Sequence, residues 1–270
     1  MKKKIINILG WIWYIFAIFF VVISFFLNFA ICSGRAKKYL RGKKNYFFEQ
    51  RYLWIDRLIS HLFFIFRIKV VSNNLQFIPN TPCLIVFNHK SNLDGVVMVK
   101  LLIQNFKENN NNFKFNIIIK KQISKVSFLY NILSLIDALY IDRDDLRQQL
   151  NLFKKQNELI KEKHSIVIAP EGTRINEDEF GEFKSGAFKI AFDNMICVQP
   201  VVIWGTAGKF NKNKVNKKKG RYVYVDFLKP KKPFDFHTNN TEYFSEEIRR
   251  QMQNAYFAIQ NKVKNKKEVF

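Results

Sequence analysis

Residues 5–32 carry no charge, and Asn7, Ser24 and Asn28 are the clear polar interruptions in a run of Ile, Phe, Val, Leu and Trp. A bilayer core about 30 Å thick needs ~20 apolar residues in helical form, so this run is long enough to cross one with room for tilt. Trp11, Trp13 and Tyr14 cluster toward one end, where an interfacial aromatic belt would place them. The lysines at positions 2 to 4 also suit a cleaved secretory signal, but the apolar run is too long for one and no small-x-small site follows it. Ile31 excludes lipid attachment at Cys32, which would need a small residue before it. The pattern therefore predicts a retained anchor. A second apolar stretch, 53–68, is broken by Asp56, Arg57, His61 and Arg67, which predicts an amphipathic helix, either lying on the membrane or packed against a domain.

Beyond it, short runs rich in β-formers alternate with helix-like stretches, the signature of an α/β domain. Strands are predicted at 68–71, 83–87, 115–119, 138–141, 166–169, 196–203 and 222–227, and helices at 96–106, 123–136, 146–161 and 186–192. Ile248, Met252, Tyr256, Ile259 and Val263 then recur at helical spacing, predicting a closing amphipathic helix over 242–263.

Composition narrows the partners. The 270 residues include 45 Lys and Arg against 22 Asp and Glu, a net charge of +23, yet 48% are hydrophobic and 16% aromatic. A disordered basic tail would be poor in aromatics, and a collagen-like or disulfide-rich chain would need far more Gly or Cys than the 10 and 3 present. Cys32, Cys83 and Cys197 are odd in number and distant in sequence, which points to a reducing compartment without disulfides or a metal knuckle. So large a positive excess points to a polyanion, either nucleic acid or an anionic membrane. The distribution favours the membrane: nine basic residues and no acid precede Glu49, bracketing the apolar run, and seven more lie in 209–221. Arg35, Lys37, Lys38, Arg41, Lys43 and Lys44 outnumber the lysines before the run, so the positive-inside rule predicts that the chain after it is cytoplasmic.

Candidate chemistry lies at predicted strand ends. In Phe87-Asn88-His89-Lys90-Ser91-Asn92-Leu93-Asp94-Gly95, one continuous helix would turn His89 and Asp94 about 140° apart. A strand-to-helix turn can instead fold His89 back so that Asp94 accepts one ring N–H, leaving the other nitrogen as a base; a capping or surface pair fits the same spacing. In Ala169-Pro170-Glu171-Gly172-Thr173-Arg174, Gly172 permits close backbone approach, Thr173 offers a hydroxyl and Arg174 a fork suited to phosphate, although ordinary turns share this composition. Phe183-Lys184-Ser185-Gly186-Ala187 reads as a glycine turn opening a helix, another place for an anion. Tyr140-Ile141-Asp142-Arg143 adds a cation at a strand end, or a surface salt bridge with Asp142, Asp144 or Asp145. Cys83 and Cys197 have apolar strand neighbours and no nearby cation, which reads as buried free thiols rather than nucleophiles.

In this order and spacing, His89 to Asp94, Ile141-Asp142-Arg143, Pro170 to Arg174 and Val198-Gln199-Pro200-Val201 resemble the four-block pattern of the lysophospholipid and glycerol-3-phosphate acyltransferases, over about residues 68–224. The bacterial 1-acyl-glycerol-3-phosphate acyltransferases look most similar. The resemblance implies a mixed central sheet flanked by helices, in an acyltransferase domain at 67–270 behind a membrane anchor and amphipathic helix at 1–66. It implies acyl transfer from acyl-carrier protein or acyl-CoA to a glycerol phosphate lipid, with lysophosphatidic acid as the acceptor and glycerol 3-phosphate or another lysophospholipid as alternatives. His89 would be the general base and Asp94 its orienting carboxylate. Glu171, Gly172, Thr173, Arg174, Arg143 and Lys184 would form the phosphate-binding set, and the helix N-terminus after His89 would offer oxyanion donors. An activated thioester needs neither ATP nor a metal, so no cofactor is expected. Membrane lipids rather than nucleic acid are the expected partners, and a non-catalytic tethered binder is the reading of a different class. The chain departs from the family at Asp137, where glycine is usual, and at Cys197, where proline is common, in blocks that shape the acceptor and acyl pockets.

Overall fold

Strand β2 (Cys83–Phe87) is buried at every position, as a continuous apolar run must be when layers cover both faces of a parallel sheet. The computed structural model describes residues 2–108, 113–175, 179–207, 221–236 and 240–265, with side chains from Phe16 onward except those of residues 221 and 236. Its other strands are β1 (Ile68–Asn73), β3 (Lys114–Lys120), β4 (Leu139–Ile141), β5 (His164–Ile168), β6 (Cys197–Trp204) and β7 (Arg221–Phe227). They form one seven-stranded sheet in the order β1-β7-β6-β2-β5-β3-β4. Only the β6–β7 pair is antiparallel. Helices α1 (Lys2–Leu40), α2 (Phe48–Ile65), α3 (Asn92–Glu108) and α4 (Ser127–Ser134) contribute to the core on one face of the sheet, and α5 (Leu146–Lys161), α6 (Lys189–Asp193) and α7 (Thr241–Lys264) to the core on the other. The predicted α/β architecture, a mixed central sheet flanked by helices, is what the chain forms.

Several elements differ from the sequence expectation in their limits. The predicted 123–136 helix is a 3-10 turn (Lys121–Lys125) followed by α4, because Val126 is extended at φ −88°, ψ 96°. The predicted 186–192 helix is likewise split into a 3-10 turn (Ser185–Ala187) and the short α6. Helix α1 runs on past the apolar segment to Leu40, since Cys32 and Ala36 are packed into the domain core. Of the two placements open to the 53–68 stretch, α2 takes the packed one, burying Tyr52, Ile55, Leu58, Ile59 and Phe63. The Trp11, Trp13 and Tyr14 side chains and the basic loop at 209–220 lie outside the described residues.

Helices α1 and α2 run antiparallel. Ser24 Oγ meets His61 Nε2 at 3.0 Å, Arg35 covers the Trp54 ring at 4.1 Å, and Arg51 Nη1 donates to Tyr39 Oη at 3.0 Å. The sheet fixes where this hairpin points. Strand β1 is parallel to β7, which opposes β6, which is parallel to β2; β1 therefore starts at the edge where β2 ends. Since α2 leads into β1, the apolar half of α1 leaves the domain at that same edge. The stretch Phe16–Leu40 has a mean hydropathy of 2.4 over an 18-residue window, of which only 6% is buried, consistent with membrane association.

The opposite edge explains the two departures from the family pattern. Asp137 is held at φ 46°, a left-handed conformation that glycine adopts freely and Asp tolerates better than most residues. Its side chain makes use of the position: Oδ1 accepts from Tyr39 Oη at 2.8 Å and Oδ2 from Arg51 Nη1 at 2.7 Å. Arg51 is 3% exposed and stacks over the Phe48 and Tyr39 rings, so Asp137 is the counter-ion of a buried charge that ties both N-terminal helices to the domain. Cys197 begins β6 in register with Cys83 at the start of β2, so cysteines distant in sequence are neighbours in space, and both are free thiols. Neither departure touches the edge where β2 ends; Asp137 instead lines a cavity at the opposite edge, together with Tyr39, Arg51, Asn116 and His164. Replacing Asp137 with Ala leaves Arg51 buried without its counter-ion and should lower unfolding stability by about 2 kcal/mol, read as an earlier thermal transition in detergent. An unchanged transition would show that the pair does not hold the hairpin.

Candidate active site

The site is built from the loops that follow β2, β4 and β5, which the parallel pairing delivers to one edge of the sheet. Asn88 prolongs β2 with its side chain: Nδ2 donates to Ile203 O at 2.9 Å and Oδ1 accepts from Ile203 N at 2.7 Å. This amide replaces a peptide in the ladder with β6 and frees the backbone to turn at His89. Asp94, fully buried in the first turn of α3, then folds back under the turn. Its Oδ2 accepts from Lys90 N at 2.6 Å, from Ser91 N at 2.7 Å, and lies 3.2 Å from His89 Nδ1. An ionised carboxylate only accepts hydrogen bonds, so Nδ1 carries the proton and Nε2 holds the lone pair. The His89 side chain is 23% exposed, open to a substrate.

This arrangement also revises one expectation. The amides of Lys90 and Ser91 are consumed by Asp94, and that of Leu93 by Ser91 Oγ at 3.0 Å, so they are not available to an oxyanion.

A backbone bond ties the second loop to the first, Ile175 N donating to His89 O at 3.0 Å, and another closes the second loop on itself, Lys184 N donating to Pro170 O at 3.0 Å. Gly172 sits at φ 75°, and a Cβ there would come within 3.1 Å of Arg143 Nη1. The guanidinium of Arg143 is thus laid against the Gly172 backbone, across β3. Among the described residues none of the salt bridges that sequence allowed Arg143 is formed: Asp142 pairs with Lys121 at 3.0 Å, Asp145 caps α5 by accepting from Gln148 N at 3.0 Å, and Asp144 acts on Arg143 through its charge without an ion-pair contact. Thr173, Arg174 and Lys184 are exposed, and neither Arg174 nor Lys184 has an ion-pair partner among the described residues. The structure gathers His89, Asp94, Glu171, Gly172, Arg143 and the chain bearing Thr173 and Arg174. Lys184 joins them through its backbone.

Two supporting residues were not picked out from sequence. Lys90, 6% exposed, reaches Glu179 O and lies 5.4 Å and 5.1 Å from the Phe180 and Tyr256 ring centroids, pinning the 179–184 segment between the motif and α7. That segment crosses Glu171 at Gly181, where a Cβ would meet Ile175 Cγ1 at 2.7 Å and Glu171 Cγ at 3.2 Å, so only glycine passes without a shift. Such close approach carries no local sequence signal. The free thiols stand apart: their mutual hydrogen bond, with burial, raises Cys83 well above the usual thiol range, and both lie at the far edge.

Glu171 is 4% exposed, and neither carboxylate oxygen has a well-formed hydrogen bond among the described residues. Burial pushes its pKa up to about 7, against the opposing pull of Lys90 and of the His89 backbone N–H. Among the described residues Asp94 Oδ1, Trp204 Nε1 and Thr206 Oγ1, at the ends of β2 and β6 or in the turns beyond them, are also buried without a hydrogen-bond partner, as are Arg51 Nε, Tyr140 Oη and Gln199 Oε1 elsewhere. Glu171 differs from these in being an acid with both oxygens in that state.

Fold and site together define an α/β protein that combines, at the carboxyl ends of parallel strands, a histidine–carboxylate pair with a glycine–arginine turn. Residues 69–204 match the family model described as Acyltransferase, and the chain belongs to that family. It is 35% identical over 238 residues, 86% of this chain and 87% of the relative, to the "Probable 1-acyl-sn-glycerol-3-phosphate acyltransferase" of Mycoplasma genitalium. It is 31% identical over 227 residues, 82% and 84% of the two chains, to the protein of the same name in Mycoplasma pneumoniae. The crystal structure of the 1-acyl-sn-glycerophosphate (LPA) acyltransferase PlsC from Thermotoga maritima shares the fold, with a TM-score of 0.58 and 18% identity over 86% of this chain and 97% of that one. The chain is an O-acyltransferase.

Because Glu171 binds its proton more tightly folded than unfolded, its contribution to stability falls as pH rises from about 4.5 to about 7 and is level above that. Glu171→Gln should therefore be more stable than the parent near pH 8, by on the order of 3 kcal/mol, and nearly equal to it near pH 4. Thermal unfolding at both pH values checks this; an equal shift at both would assign Glu171 an ordinary pKa.

Proposed function

We propose that the chain transfers a fatty acyl group from acyl-carrier protein or acyl-CoA to the sn-2 hydroxyl of 1-acyl-glycerol 3-phosphate, giving phosphatidic acid. The observation that carries this reading is the contact of His89 Nδ1 with Asp94 Oδ2, with Arg143 laid against Gly172 on the adjoining loop. The names of the relatives support the acceptor.

His89 Nε2 takes the proton of the lipid hydroxyl as its oxygen attacks the thioester carbonyl. The C–S bond of the tetrahedral intermediate then breaks, and the imidazolium returns the proton to the departing thiolate, leaving an ester and a thiol. Asp94 keeps the ring in the required tautomer and stabilises its charged form, a role typically worth 10²–10⁴ in rate together with the base itself. Arg174, Thr173 and the Gly172 backbone, with Arg143 and the exposed Lys184, hold the acceptor phosphate. Glu171 orders their loop. Fixing the phosphate makes the attack nearly intramolecular.

The apolar half of α1 anchors the chain, and the basic flank after it keeps the domain in the cytoplasm, where the thioester donor is made. This places the site at the membrane-facing edge, within reach of a lipid acceptor.

His89→Ala should lower transfer to lysophosphatidic acid by at least about 10² with the fold intact by circular dichroism. Arg174→Ala should instead raise the acceptor KM, by about tenfold, with a smaller change in kcat. A panel of labelled acceptors tests the substrate: acylation of glycerol 3-phosphate or another lysophospholipid, with lysophosphatidic acid ignored, would overturn the choice. Protease added to sealed membrane vesicles should digest the domain when the cytoplasmic face is outward and spare it when that face is inward; the reverse pattern would sink the orientation.

A further inference from the structure

Helix α4 is built inside out. Its polar Asn131 and Ser134 are buried, whereas Phe128, Leu129 and Tyr130, with Val126 just before them, are 51%, 36%, 37% and 39% exposed. A helix covering a water-facing domain places its polar and apolar residues the other way round. Its neighbours give the reason. The Phe128 ring meets Phe29 of α1 edge-on at 6.0 Å, and exposed Phe26 lies about 60° around the helix from Phe29, so the apolar surface of the anchor adjoins that of α4.

The turn leading into α4 supplies the charge. Lys120, Lys121 and Lys125 are exposed there; Lys121 pairs with Asp142, and neither Lys120 nor Lys125 has an ion-pair partner among the described residues. Apolar side chains bordered by unpaired lysines complement an anionic bilayer surface, in which the chains enter the headgroup–acyl boundary and the ammonium groups meet phosphates. An acidic protein would satisfy the lysines and leave the phenylalanine and leucine without a partner of their kind. The helix also borders the site. Tyr130 packs against Tyr140 of β4 at 5.7 Å, and β4 leads into Asp142 and Arg143, whose guanidinium lies on Gly172.

We propose that α4 is a second membrane-contacting element, which enters the bilayer surface beside α1 and seats the Arg143 side of the site on the lipid. The proposal rests on reading α1 as the anchor. It makes the angle of the domain to the membrane a property of two adjoining contacts rather than of one tether.

Photocrosslinking on the full chain tests it. Benzoylphenylalanine is placed at position 128, at position 20 on the exposed flank of α1, or at position 150 on α5 in the opposite layer, and the chain is reconstituted into vesicles of phosphatidylcholine and phosphatidylglycerol. Irradiation should yield lipid adducts by mass spectrometry at 128 and 20 and none at 150. Adducts at 20 but not at 128 would overturn the role of α4 and leave the anchor standing; none at either would overturn both. With acyl-carrier protein added to the same vesicles, a carrier-protein adduct at 128 in place of lipid would overturn the proposal and reassign the face to donor docking. In parallel, the double variant Phe128→Ser, Leu129→Ser should lose about tenfold in transfer to vesicle-borne lysophosphatidic acid while keeping its rate on a short-chain, water-soluble analogue. Equal loss on both acceptors would mean that the residues act on the fold, and would overturn the proposal.

Discussion

Parallel pairing of β2 with both β5 and β6 is the constraint on which the site depends. A parallel strand cannot turn straight back into its neighbour, so the chain must cross a face of the sheet before it returns, and the loops that leave successive strands gather at one edge. This brings His89, Arg143 and the 170–174 turn together although more than fifty residues separate the first from the second. A backbone bond from Ile175 to His89 then makes the His89 and 170–174 loops one unit, and another from Lys184 to Pro170 closes the second of them on itself.

The electrostatics of that unit are divided between two buried carboxylates. Asp94 receives two peptide N–H groups and faces the His89 ring, so its charge is supported and directed. Glu171, close by, is buried beneath the Gly181 crossing with no comparable donors, and its pKa rises to about 7. Two acids of similar chemistry thus sit in different surroundings within one loop system, Asp94 among peptide N–H donors and Glu171 in a buried place that raises its pKa.

The same topology joins chemistry to membrane. Because β1 opposes β2, the helical hairpin that feeds β1 emerges beside the site, and its ion pair between buried Arg51 and half-buried Asp137 lies at the distant edge as a fastening. Asp137 therefore occupies a glycine-like conformation for a structural reason. A glycine would relax the backbone there but could not neutralise Arg51.

Much of this was legible in the residue order. The seven strands, the uncharged N-terminal run and the five-residue interval from His89 to Asp94 each leave a local signature of period, length or spacing, because burial on both faces of a sheet, immersion in lipid and a tight strand-to-helix turn act on neighbours in the chain. Contacts between distant segments leave no such signature. Arg143 resting on Gly172, the Gly181 crossing, Cys83 beside Cys197 and the reversed faces of α4 are set by which strands pair and which helices pack together. Sequence determined the elements and the chemical groups available. Tertiary structure alone decided which edge they share, which charges are buried, and which apolar surface is left facing outward, since those depend on the sheet order and not on any interval along the chain.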